Sequence, residues 1–301
     1  MKNSKSTYLR VRLKGGLGNQ LFQSLVAYRL SQSLGRDLEF DTSWFKQSTN
    51  LLKQPNIRGL EIGYFRELTR QSRIVNYQEL PILWNLFRSS RILNNGLLSK
   101  FGLISDANLD RIETNRKRLY LDGYFQNHRL LPDDASLKKL LIFPTETSQE
   151  FKILEREIST SPFIAFHIRR GDFTTHPEIY DVLTPNYYLN AIQEMRQTFG
   201  QLPVILFSDE PKDAILWSGL SNRIDFVVPA LNFEDAGETL RLMSLSKGLI
   251  IANSTFSWWA AKLGSINKMT SLVIMPSRFT KSDNSRYQNF KVEGWTVMDS
   301  Y

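Results

Sequence analysis

At 301 residues the chain is long enough for two domains and a substantial core, and 42% hydrophobic with 23% charged residues is ordinary globular composition. It contains no cysteine, which excludes disulfides, thiolate metal sites and cysteine nucleophiles and fits a reducing cytoplasm. The net charge of +8 is uneven: residues 1–145 hold 23 Lys and Arg against 12 Asp and Glu, whereas residues 146–301 hold 15 against 18, so the basic excess belongs to the first half.

Met1 to Thr7 is polar and runs straight into a strand-like segment, and no apolar run approaches the ~20 residues of a membrane span. Neither a signal peptide nor a transmembrane helix is expected. The expected location is the cytoplasm, with peripheral contact at the inner face of an anionic membrane through the basic half. No nucleic-acid module signature is present, and nucleic acid is not expected as a partner.

Tyr8 to Leu13 alternates apolar and polar residues as a strand does, and Lys14-Gly15-Gly16-Leu17-Gly18-Asn19-Gln20 follows at once. Gln20 to Leu34 has helical spacing, with Gly35 as its C-terminal stop. Strand, Gly-rich loop and helix bring backbone N–H groups and a helix N-terminus toward an anion. A tight turn with no ligand satisfies the same pattern, and the Rossmann spacing is not met, because Leu21 stands where its third glycine belongs.

Leu38 to Asp41 reads as a second strand and Trp44 to Ile62 as loop and short helix. Ile74 to Ile104 is apolar but irregular, with helix-like pieces at 83–87 and 97–98. Arg118 to Leu121 is strand-like and runs into Gly123-Tyr124-Phe125-Gln126-Asn127-His128, which either lines a sugar site or packs its Tyr-Phe pair in the core. The change from Leu140-Leu141-Ile142-Phe143 to Pro144-Thr145-Glu146 marks a boundary near 145–155, giving domains 1–150 and 151–301.

The second half repeats strand and helix in regular order. Strands are expected at Phe163–Ile168, Val204–Phe207, Ile224–Val228, Leu249–Ala252 and Leu272–Met275. Between them lie helices capped by Thr184-Pro185 and Gly200, from Pro211 through Trp217, around Glu238–Ser246 and from Phe256 to Leu263. Apolar strands alternating with helices predict an α/β, doubly wound parallel sheet.

Open sheets of this kind bind ligands at the carboxyl ends of their strands, and three such ends are polar here. The first, His167-Ile168-Arg169-Arg170-Gly171-Asp172-Phe173, carries two adjacent guanidiniums. Neighbouring side chains in an extended segment alternate, so one arginine is expected to meet an anionic ligand while the other packs or pairs, with Asp172 as a candidate partner. The second end is Ser208-Asp209. Its carboxylate either accepts two hydrogen bonds from an edge such as guanine N1–H and the 2-amino group or caps the helix at Pro211, and spacing alone favours the cap. The third, Asn253-Ser254-Thr255-Phe256-Ser257-Trp258-Trp259, offers hydroxyls and N–H groups to an anion, or simply caps its helix with both tryptophans in the core.

Taken together, Gly16-Leu17-Gly18-Asn19-Gln20-Leu21-Phe22-Gln23, Gly123-Tyr124-Phe125-Gln126, His167 to Phe173, Ser208-Asp209 and Asn253 to Trp259 resemble, in order and over nearly the whole chain, the motifs of the bacterial α-1,2-fucosyltransferases. The resemblance extends in reduced form to the α-1,6- and protein O-fucosyltransferases. It implies a two-domain GT-B fold with Rossmann-like sheets, GDP-L-fucose held mainly by the second domain and a β-galactoside acceptor by the first. By the same resemblance Arg169 would hold the β-phosphate of the leaving GDP, and the His167 backbone and Asp209 would read guanine. Ser254 and Thr255, with Gly16 and Gly18, would contact the pyrophosphate, and Asn19 would meet fucose and the attacking hydroxyl. Arg170 and Asp172 would shape the turn. The donor-binding set expected is therefore Gly16, Gly18, His167, Arg169, Arg170, Ser208, Asp209, Asn253, Ser254, Thr255, Phe256 and Ser257, and the catalytic set Asn19, Arg169 and Asp172.

No carboxylate stands out as general base. No Asp-x-Asp motif lies on a loop; Glu39-Phe40-Asp41 is nearest and reads as a strand. An inverting displacement without a metal, its leaving charge met by cationic side chains and N–H groups, is the mechanism expected.

Overall fold

The structure, a computed structural model, describes residues 7–45, 59–75, 99–112, 115–171, 182–229, 236–280 and 286–300. The helix-like pieces expected at 83–87 and 97–98, most of the loop expected at 44–62, and Asp172 and Phe173 lie outside them. The chain divides into two compact units, Met1–Ile142 and Phe143–Tyr301.

The first unit is built on a five-stranded parallel sheet of β1 (Tyr8–Arg12), β2 (Asp37–Asp41), β3 (Arg73–Val75), β4 (Leu103–Ile104) and β5 (Arg118–Leu121), ordered β3-β2-β1-β5-β4. Helix α1 (Leu17–Leu34) returns from β1 to β2, and the short helices α2 (Arg66–Arg70) and α3 (Asp134–Leu140) also belong to the unit. Alternation along central β1 sends Leu9, Val11 and Leu13 to one side and Arg10 and Arg12 to the other. Both sides are buried, because the cations have partners there. Arg10 grips one oxygen of Glu39 through Nε and Nη2 at 2.9 and 2.7 Å and lies 5.0 Å from the Tyr8 ring centroid. Arg12 Nη1 and Lys14 Nζ reach the two oxygens of Asp122 at 3.5 and 2.6 Å. Charges this far from water persist when paired.

The second unit carries a six-stranded parallel sheet: β6 (Ile164–Ile168), β7 (Val204–Ser208), β8 (Phe226–Val227), β9 (Gly248–Ile250), β10 (Leu272–Pro276) and β11 (Thr296–Met298), ordered β11-β10-β9-β6-β7-β8. Its helices among the described residues include α4 (Gln149–Ile158), α5 (Pro185–Phe199), α6 (Pro211–Ser218), α7 (Ala236–Ser244) and α8 (Thr255–Ile266). Thr184 caps α5 by accepting from the Tyr187 N–H, with Pro185 at the first helical position. The inward face of α5, with Tyr187, Tyr188, Ala191, Ile192 and Met195, packs on Ile164, Phe166, Leu206 and Ile250 of the sheet.

Helix α4 is fastened to the second unit. Arg241 of α7 reaches Glu155 at 2.9 Å and the Pro144 carbonyl at 3.0 Å, while Glu238 accepts from the N–H and hydroxyl of Ser148. The division therefore falls at 142/143, ahead of the expected 150/151, which would cut through this helix. Strands β3, β4 and β11 extend the expected set, being too short for a period to show. Among the described residues no helix is long and apolar enough to cross a membrane.

Candidate functional site

Strand order brings the second unit's polar ends together. Strand β6 lies between β9 and β7, with Phe166 opposite Ile250 and Ile168 opposite Ser208. The turn after Ile168, Ser208-Asp209 and Asn253 to Phe256 thus share one carboxyl edge.

At its centre Arg169 Nη1 contacts Asp209 Oδ2 at 2.7 Å, with side chains 12% and 19% exposed. The other oxygen, Oδ1, accepts the Arg170 backbone N–H at 2.9 Å. Asp209 thereby ties the two loops together and does not cap α6, as spacing had favoured. The cap position belongs to Glu210, which makes no side-chain cap, and the Ser208 hydroxyl accepts the Glu210 N–H at 3.1 Å. Gly171 is required here: its φ is +25°, and a Cβ would meet Asp209 Oδ2 at 2.5 Å.

The two arginines take different carboxylate partners. Arg170 turns to α6, where Nε meets Asp213 at 2.5 Å and the guanidinium lies 4.6 Å from the Trp217 ring centroid. One partner is thus on α6, whereas Asp172, the candidate expected, lies outside the described residues. Beneath it, burial pushes the Tyr188 phenol well above its ordinary value, with Arg170 opposing and Asp209 reinforcing the shift, so the hydroxyl stays neutral.

On the other side of β6, Ser254 caps α8 by accepting the Phe256 N–H at 3.3 Å, and Thr255 and Phe256 are half-buried. The Phe256 ring lies 6.0 Å from that of buried His167. Asn253 and Ser257 turn inward. Asn253 Nδ2 donates to the Phe279 carbonyl at 3.3 Å, and Ser257 Oγ faces the Ala252 and Ser254 carbonyls. Trp258 and Trp259 are core, with Trp258 Nε1 donating to the Phe290 carbonyl at 2.7 Å.

In the first unit α1 begins at Leu17, three residues before the expected start, so Gly18, Asn19 and Gln20 form its first turn and Gly16 is its N-cap. Two glutamines shape the loop. Gln20 donates to the Gly15 and Gly59 carbonyls and accepts the Glu61 and Ile62 N–H groups, all at 2.8–3.0 Å. Gln23 accepts the Lys14 N–H at 2.9 Å and donates to its carbonyl at 3.3 Å. Asn19 Oδ1 accepts from Gln126 Nε2 at 2.7 Å. The Tyr-Phe pair separates: Phe125 is core, whereas Tyr124 is 40% exposed, with Lys14 Nζ 4.8 Å from its ring centroid. Gln20 and Gln23 lie within the sequence motifs and Lys14 and Asp122 beside them; Asp106, which accepts the Tyr124 and Phe125 N–H groups at 2.9 and 2.6 Å, had no such signal.

The arrangement offers a cation and a helix N-terminus to a diphosphate and a carboxylate to a base edge. Among the described residues no group of three or more His, Asp or Glu is placed to hold a metal ion.

Comparison with known proteins gives one answer. The model of "Glycosyl transferase family 11" matches residues 79–299. The O-antigen biosynthesis glycosyltransferase WbnK of Escherichia coli is 30% identical over 90% of this chain and 95% of its own. An α-1,2-colitosyltransferase of Escherichia coli is 28% identical over 84% of this chain and 86% of its own. Among solved structures, NodZ α-1,6-fucosyltransferase co-crystallised with GDP superposes with a TM-score of 0.57 at 16% identity, over 86% of this chain and 92% of that one. The fold is GT-B-like.

Proposed function

The chain belongs to glycosyl transferase family 11, and from that premise we propose that it is a galactoside α-1,2-fucosyltransferase, moving L-fucose from GDP-β-L-fucose to the 2-hydroxyl of a terminal β-galactose. The observation that carries the reading is the shared carboxyl edge of β9, β6 and β7, where Arg169, Asp209 and the N-terminus of α8 come together. Sugar transfer leaves a diphosphate whose charge grows as the anomeric bond breaks, and preorganised donors favour that state over the ground state. Arg169 and the first-turn N–H groups of α8 supply those donors, and no metal is needed. Asp209 accepts the N1–H and 2-amino group of guanine while it holds Arg169, coupling base recognition to the cation.

The galactose hydroxyl attacks the face of the anomeric carbon opposite the phosphate, so the β-linked donor gives an α-linked product. Among the described residues, Asp122 and Asp106, two carboxylates on loops of the first unit, are committed to Lys14 with Arg12 and to backbone N–H groups. This accords with bond breaking that runs ahead of attack, where a strong base gains little. A relative named for α-1,2-colitosyl transfer supports the α-1,2 linkage and makes transfer of another sugar from its GDP-activated form the second reading.

The test is incubation with GDP-fucose and other GDP-sugars over a panel of galactosides, with linkage analysis of the products. Fucose α-1,2-linked to galactose is expected. A different linkage overturns the regiochemistry, faster transfer of another sugar overturns the donor, and GDP binding without transfer to any galactoside overturns the acceptor.

A further inference from the structure

We infer that Gln126 is a positioning residue that sets which way the Asn19 carboxamide faces; this rests on the reading that Asn19 meets the transferred sugar and the attacking hydroxyl. A carboxamide has an accepting end and a donating end of nearly the same shape, and its orientation follows from its partners. The partner of the Asn19 oxygen is a donor 107 residues away in sequence, Gln126 Nε2 at 2.7 Å. With Gln126 held as it is, a flipped Asn19 would set N–H against N–H.

The other end of the amide is also provided for. Asn19 Nδ2 lies 2.7 Å from where a Cβ on Gly15 would stand, and Gly15 has a φ of +75°. Only glycine both adopts that conformation without strain and leaves room for the nitrogen. Within residues 11–20, Gly15 and Asn19 alone are half-buried, the rest being buried.

Gln126 is held by a turn that would not form on its own. Phe125 has a φ of +50°, a conformation unfavourable for a bulky side chain. It is kept there by burial of its ring and by Asp106, whose carboxylate accepts both the Tyr124 and the Phe125 N–H. A Cβ on Gly123 would meet Asp106 Oδ2 at 2.6 Å, so the carboxylate fits against that glycine. Strained backbone that the surroundings hold in place is where an aimed side chain is expected. Gln126 therefore delivers one N–H to one oxygen and so fixes which end of the Asn19 amide is the donating one.

The test is a comparison of Gln126→Glu, Gln126→Ala and Asn19→Ala with the Asn19 and Gln126 double variants. Glutamate is isosteric but, when ionised, has no N–H, and it forces the Asn19 amide to turn. Gln126→Glu should lose ~10- to 100-fold in kcat at neutral pH, with donor KM and thermal midpoint close to those of the parent. Its kcat should recover relative to the parent as pH falls toward the ordinary glutamate pKa of about 4.3, because the protonated acid regains a donor. In the Asn19→Ala background, neither substitution at 126 should lower kcat further. Parent-like kcat for Gln126→Glu beside an impaired Asn19→Ala overturns the inference while sparing the role of Asn19, as do equal losses from Gln126→Ala in both backgrounds. An unimpaired Asn19→Ala overturns the role of Asn19 and the inference with it.

Discussion

Arg169 is half-enclosed, and its Nη1 is 2.7 Å from Asp209 while the same carboxylate holds the next backbone N–H. A guanidinium fixed on one side by a carboxylate is oriented before any phosphate arrives, which lowers the ordering cost of binding. Arg169→Ala should therefore lower turnover by ~100-fold or more, the scale seen when one preorganised donor to developing charge is removed. Asp209→Ala should raise the donor KM. Steady-state kinetics with the donor varied separates these effects, and a near-normal kcat for Arg169→Ala would remove the assignment. That two adjacent arginines here would take different partners was legible, because neighbouring side chains of an extended segment alternate. That Arg170 pairs with Asp213 and lies over Trp217 was not, because the approach of α6 depends on the fold.

Among the elements, α5 braces the site from behind. The Tyr187 hydroxyl, buried and kept neutral by desolvation, contacts the Ile251 carbonyl at 2.7 Å, at the point where β9 passes into the Asn253 loop. Tyr187→Phe leaves that buried carbonyl without its donor and should destabilise the protein by about 1–3 kcal/mol, read as a lower denaturant midpoint at an unchanged slope. An unchanged midpoint would mean that the hydroxyl contributes nothing. Most of the second unit's helices and strands were readable, because helices such as α5 are long, apolar on the inner face and marked by caps such as Thr184-Pro185. The polar side of β1 misleads in the opposite direction: alternation implies a wet face, and Arg10 and Arg12 are instead buried against Glu39 and Asp122. Those partners lie 29 and 110 residues away, on β2 and just past the end of β5.

Across the whole molecule the basic excess falls in the first half, while the loops proposed for the donor phosphates sit in the near-neutral second half. Phosphate recognition therefore depends on a few placed groups rather than on bulk charge. If cationic side chains and N–H groups carry the leaving charge, transfer should proceed undiminished after EDTA treatment. A collapse restored by Mg²⁺ or Mn²⁺ would overturn the metal-free mechanism.

The sequence by itself determined the α/β class, the parallel strands and the three polar strand ends, because hydrophobic period, caps and glycine turns are local properties. It did not determine that β6 lies between β9 and β7, that Asp209 links two loops where spacing favoured a cap, or that Gln126 meets Asn19. Each of these depends on which distant segments become neighbours, and that choice belongs to the packing of the whole chain, not to any window along it.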